Sequence, residues 1–199
     1  MKILNFTGFS ILESDKNSLD KAKAFSDYVI TELVKKIKGY KEPLDVVFHP
    51  KCQVFFVPKE SEFVEGSFDM DENIIVECDL GRAIQNGRLE EMMDCLRKEK
   101  EDIEEVLIHE WTHLTDYEKN IPYVFKEPKN KEEYYNLRSE VNAYFFGLVQ
   151  KNIMEKDFNK FSSTLKDFLK KEEISPSNKK RMLVRAYKLW DEIHKNKKF

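Results

Sequence analysis

Cysteine is scarce in this chain, with three among 199 residues, at Cys52, Cys78 and Cys95. Their number is odd, their spacing is wide and no paired redox or metal motif joins them, which speaks against a disulfide framework. Buried free thiols are the expected state, and with them a reducing, cytoplasmic setting. No apolar run approaches the ~20 residues that a membrane-spanning helix needs. The segment Met1 to Leu12 holds one lysine, is interrupted by Asn5, Thr7, Gly8 and Ser10, and shows no small-residue cleavage site. It reads as a strand or ordered arm and not as a signal peptide. There is also little net charge: 34 basic against 37 acidic side chains leave −3, which gives no electrostatic case for nucleic acid. The lysine-rich tail, Lys195 to Lys198, is too short to change that. Internal repeats and low-complexity linkers are missing, and 199 residues suit one domain with a proper core.

What the chain has instead is helical periodicity around a few short strands. Leu19, Ala22, Phe25, Val29, Leu33 and Ile37 predict a helix over 18–38 that stops at Gly39. Residues 44–48, 53–57 and 74–78 read as β-branched and aromatic strands, with turn chemistry at 69–73. A short helix is expected over 89–96, after Gly87. Towards the C-terminus, Phe158, Phe161, Leu165, Phe168 and Leu169 mark one helix. Met182, Leu183, Ala186, Leu189, Trp190 and Ile193 mark another, started by Ser175-Pro176. These last two should form a hairpin against the rest. The arrangement divides into an N-terminal helix and small sheet (1–98), a central helical part (99–150) and the hairpin (151–199).

Histidine is scarcer than its placement suggests. Of four, two fall in His109-Glu110-Trp111-Thr112-His113. Ile103, Val106, Leu107, Leu114 and Tyr117 keep helical spacing around this segment, and Glu101, Asp102, Glu104 and Glu105 form an acidic lead-in suited to first helical turns. Residues i and i+4 share a helix face, so both imidazoles can reach one metal ion with Glu110 beside it. Neutral imidazole suits zinc, and the chemistry implied is metal-assisted hydrolysis, most often of a peptide bond. His49 and His194 are expected at the surface, outside any site.

A catalytic zinc needs a third protein ligand. The metzincin pattern would place a histidine at position 119, where Lys119 stands and cannot ligate. The better candidate is Glu140, expected in the middle of a helix over 134–146 that carries Leu137, Val141, Tyr144, Phe145 and Leu148 on one face, with small Ala143 allowing a close helix approach. Asp116 lies i+3 from His113 and i+7 from His109, on the same stripe, where it can orient a ligating imidazole.

A His-Glu-x-x-His helix followed by a second helix carrying a glutamate resembles the gluzincin metallopeptidases, over roughly Asn73 to Leu148. His113-Leu114-Thr115-Asp116 is similar to the catalytic helix of the anthrax lethal factor family, where an aspartate follows the second histidine by one turn. The resemblance implies that His109, His113 and Glu140 bind one catalytic zinc ion and that Glu110 is the general base. It departs from the thermolysin pattern at Tyr144, where an aspartate would follow the ligand glutamate by four residues. The tyrosine that stabilises the oxyanion in the lethal factor family falls at Glu133 here, which leaves Tyr134, Tyr135 and Tyr144 as candidates for that role. The family's order of elements makes Ile74 to Cys78 the edge strand that holds an extended substrate.

The expectation is therefore an α+β, zincin-like fold, mostly helical, with a small mixed sheet preceding the active-site helix. Its activity would be that of a zinc metallopeptidase with a protein or peptide substrate, in the cytoplasm. The alternative is a non-enzymatic binding or regulatory protein on an inactive zincin scaffold.

Overall fold

Ser14 starts the first helix: its side-chain oxygen accepts the backbone N–H of Asn17 at 3.3 Å. A computed structural model of the chain describes residues 14–69, 71–118, 130, 133–134 and 136–195. In it α1 (Asp15–Gly39) buries Leu19, Ala22, Phe25, Val29, Leu33 and Ile37 along one stripe. The helix begins a turn earlier than the apolar pattern suggested. It also ends one residue later, because the left-handed residue is Tyr40 (φ 48°) and not Gly39. That conformation costs a residue with a Cβ about 1 kcal/mol. The Tyr40 hydroxyl, which donates to the Gly87 carbonyl at 3.0 Å, holds it in place.

Four strands follow: β1 (Val46–His49), β2 (Cys52–Pro58), β3 (Glu65–Phe68) and β4 (Asn73–Cys78). Their order in the sheet is β1-β2-β4-β3, with β2 and β4 parallel and the outer pairings antiparallel. Strand β4 is thus internal, paired on both sides. The expectation that Ile74 to Cys78 forms an edge fails, because β3, a strand the apolar pattern did not announce, occupies that edge. Val54, Phe56, Ile74, Val76 and Cys78 point into the core under α1 and the following helices.

Helix α2 (Asp79–Asn86) lies so close to β2 that a Cβ on Gly81 would fall 2.1 Å from the Val57 carbonyl carbon. Its N-terminus is capped from another helix: Glu99 accepts the N–H groups of Asp79 and Leu80 at 3.1 and 3.2 Å and pairs with Lys59 at 2.8 Å. Glu99 belongs to α3 (Leu89–Glu118), 30 residues long. The short helix expected over 89–96 and the metal-motif helix are one continuous element. Met92, Leu96, Glu99, Ile103, Leu107 and Leu114 form its buried stripe.

Helix α4 (Arg138–Asn152) is buried nearly all round, through Val141, Ala143, Phe145, Phe146, Leu148 and Val149. It packs against α3, α1 and the hairpin of α5 (Phe158–Lys171) and α6 (Pro176–Lys195). The result is mostly helical with a small mixed sheet, an α+β arrangement. No helix among the described residues is long and apolar enough to cross a membrane. The segment Met1 to Leu12 lies outside the described residues.

Candidate metal centre

The i, i+4 spacing on α3 brings His109 and His113 together, with Nε2 atoms 3.0 Å apart. Glu140 approaches them from α4. Its Oε2 is 3.4 Å from His109 Nε2 and its Oε1 is 3.4 Å from His113 Nε2. These three side chains are the one His/Cys/Asp/Glu group among the described residues whose donor atoms converge tightly enough to hold an ion, all within 4.8 Å. The helix carrying Glu140 begins at Arg138 rather than near Tyr134, so Glu140 stands in the first turn and not mid-helix. That position is favourable, since the positive end of the helix dipole meets the carboxylate.

The electrostatics of the group call for a cation. Glu140 is 2 % exposed, and its two carboxylate oxygens face the imidazoles of His109 and His113. Burial alone would raise its pKa, yet the hydrogen bonds and charges of the two imidazoles outweigh that and hold it at about 2. Burial alone would lower His113, but Glu140 raises it above its usual value. The site thus favours a carboxylate facing positive charge. One donor atom from each of the three residues lies within 4.8 Å of the others, close enough for all to reach one ion. Two imidazoles and a carboxylate fit zinc by chemistry as well.

Glu110 is 5 % exposed and makes no hydrogen bond or ion pair among the described residues. Burial pushes its carboxyl pKa up, against the pull of His109 and His113. A Cβ on Gly66 would lie 2.9 Å from Glu110 Oε1 and 2.4 Å from Val106 Cγ1, so the edge strand β3 presses its bare backbone against this carboxylate. Sequence reasoning passed over Gly66. An isolated glycine between Glu65 and Ser67 was the available sign of such a close approach.

Tyr144 comes to the site: its ring stands edge-on to that of His109, with centroids 5.4 Å apart. Tyr135 lies outside the described residues, as does Lys119. Asp116 is buried and accepts from Asn142 Nδ2 at 2.9 Å, and its charge helps to raise the pKa of His113.

The remaining histidines are not simply at the surface. His49 sits among the rings of Phe25, Tyr28 and Trp111, at 5.0, 5.2 and 5.4 Å, and burial followed by the charge of Lys51 lowers its pKa. Trp111, between the two metal-motif histidines in sequence, stacks on Phe25 at 4.3 Å and so fixes the rotation of α3 against α1. His194 lies over Trp190 and reaches the Ile153 carbonyl at 2.7 Å through Nε2, which must therefore donate. Neither joins the metal group.

No protein-family model matches this chain, and no curated protein or solved structure matches it either, so any function must be argued from these residues themselves.

Proposed function

We propose that this chain is a cytoplasmic zinc metallopeptidase with a zincin-like active site of the gluzincin type. The observation that carries the reading is the triangle of His109, His113 and Glu140 donor atoms with the buried Glu110 on the same turn of α3. A purely structural metal site has no use for that second carboxylate. The three free cysteines, two of them buried, suit a reducing compartment.

His109, His113 and Glu140 would hold the ion, which when bound supplies Lewis acidity to water and to the scissile carbonyl. Glu110 accepts the proton of the attacking water and passes it to the leaving amine. Its raised pKa suits a group that must carry that proton for part of the cycle. Tyr144, edge-on to the His109 ring, is the candidate donor to the oxyanion. Strand β3 lies at the edge of the four-stranded sheet beside Glu110, where an extended protein or peptide substrate adds as a further strand.

The test is a digest of a broad peptide library by the parent and by Glu110→Gln, with zinc content measured on both. The variant should keep its zinc and its fold and lose turnover by ~10²–10⁴-fold. Undiminished cleavage by the variant, or a parent that takes up no zinc, overturns the assignment.

A further inference from the structure

Asp116 begins a polar line that leads away from the metal centre. It stands one turn beyond His113 on α3 and is 5 % exposed. A buried carboxylate is costly unless donors meet it. Asn142, two residues past Glu140 on α4, donates to it through Nδ2 at 2.9 Å. Arg185 of α6 donates through Nη2 to Asn142 Oδ1 at 3.0 Å. The same guanidinium grips Asp15, the first residue of α1, with Nε to Oδ2 at 3.1 Å and Nη2 to Oδ1 at 2.7 Å, and lies 4.0 Å from the centre of the Phe145 ring.

The direction of this line is forced. Arginine has donors only, so Asn142 must turn its carbonyl oxygen to Arg185, and its amide NH₂ is then committed to Asp116. Asp116 in turn must receive that proton, which a carboxylate does. The Arg185–Asp15 pair alone does not account for the arrangement, since both side chains are about 30 % exposed and such pairs contribute little to stability. Its extension through Asn142 to a buried acid one helical turn past the ligand His113 is what a purely stabilising surface pair lacks.

We propose that Asn142, Arg185 and Asp15 are positioning residues of the metal centre, holding Asp116 as an oriented carboxylate one turn past His113. The proposal rests on the metal-binding reading of His109, His113 and Glu140. It extends the centre to α1 and α6, helices that carry no ligand. Outer partners of this kind typically govern metal affinity by 10–100-fold.

The experiment titrates zinc against a chromophoric chelator, using the whole chain stripped of metal, for the parent, Asn142→Ala, Arg185→Lys and Asp116→Ala. The melting temperature of each metal-free protein is read alongside. Asn142→Ala should weaken zinc binding ~10-fold. Arg185→Lys keeps the charge but loses the two-pronged grip, and should shift affinity the same way by less. Adding Asn142→Ala to Asp116→Ala should cost no further affinity, because Asn142 acts through Asp116. Parental zinc affinity in both Asn142→Ala and Arg185→Lys overturns the proposal. So does a lowered metal-free melting temperature with affinity intact, which is the mark of a merely structural role. Should Asn142→Ala fail to fold, the half-exposed Arg185→Lys carries the test. A parent that binds no zinc removes the metal-site reading itself. A parent that binds it normally while the variants match it removes only the positioning role.

Discussion

Glu140 faces the imidazoles of His109 and His113, and in the metal-free chain a proton on His113 is favoured by that carboxylate. The pH dependence of the stripped protein follows. Glu140 is depressed from 4.5 to about 2, so its stabilisation is present above 4.5 and is lost as pH falls towards 2. His113 is raised above 6.5, so its contribution is complete below 6.5 and disappears as pH rises through the folded value. Glu110, raised from 4.5, works against Glu140 and subtracts stability progressively above 4.5. The metal-free chain should therefore be most stable between about pH 4.5 and 6.5, near the lower end, with a loss on the acid side on the order of 3 kcal/mol and a further loss on the alkaline side. Thermal melts of chelator-treated protein from pH 3 to 9 measure this directly. Glu140→Gln should flatten the acid limb, and an unchanged acid limb in that variant would contradict the assigned cause.

At the level of elements, β3 and α3 meet where the site is tightest. Gly66→Ala places a methyl group against Val106 and the Glu110 carboxylate, and overpacking of this kind costs ~1–3 kcal/mol. The expected outcome is lower stability in denaturant and slower turnover, with zinc affinity kept, because the added methyl group meets Val106 and Glu110 and none of the three ligands. Ser67→Ala, at the exposed next position of β3, is the control and should change neither. This contact also marks the limit of what the sequence discloses. His109, Glu110 and His113 stand out because 3.6-residue periodicity alone puts them on one face, and the apolar stripes of α1, α5 and α6 are legible for the same reason. Strand β3 was not, since a four-residue strand with an exposed, polar pattern has no period to detect. The place of β4 inside the sheet depends on that missing strand. The start of α4 was misplaced because Tyr134 and Leu137 continue the apolar pattern before Arg138, although the helix begins only after Leu137. Asn142 and Arg185 could not be linked at all: their partners lie 26 and 170 positions away.

For the whole molecule, the ligands tie together two helices that between them touch most of the fold. Helix α3 packs on α1, α2, the sheet and α4, while α4 packs on α1, α5 and α6. An ion held by His109, His113 and Glu140 bridges these two hubs and closes the chain between positions 113 and 140. The unfolded chain has no such preformed group, so the binding free energy adds to folding stability. With free zinc a thousand times above its dissociation constant the gain is ~4 kcal/mol. A chain of this size shifts its melting temperature by ~2–4 °C per kcal/mol, which gives about 8–16 °C between the stripped and loaded protein. Cys52, Cys78 and Cys95 become accessible on unfolding and compete for zinc there, which pulls the shift towards the lower figure. Calorimetry with and without zinc reads it, and His113→Ala separates its sources. If the gain comes from the bridge, the variant should lose nearly all of it. If zinc still raised the melting temperature of His113→Ala by the parental amount, the stabilising ion would be bound somewhere other than between α3 and α4.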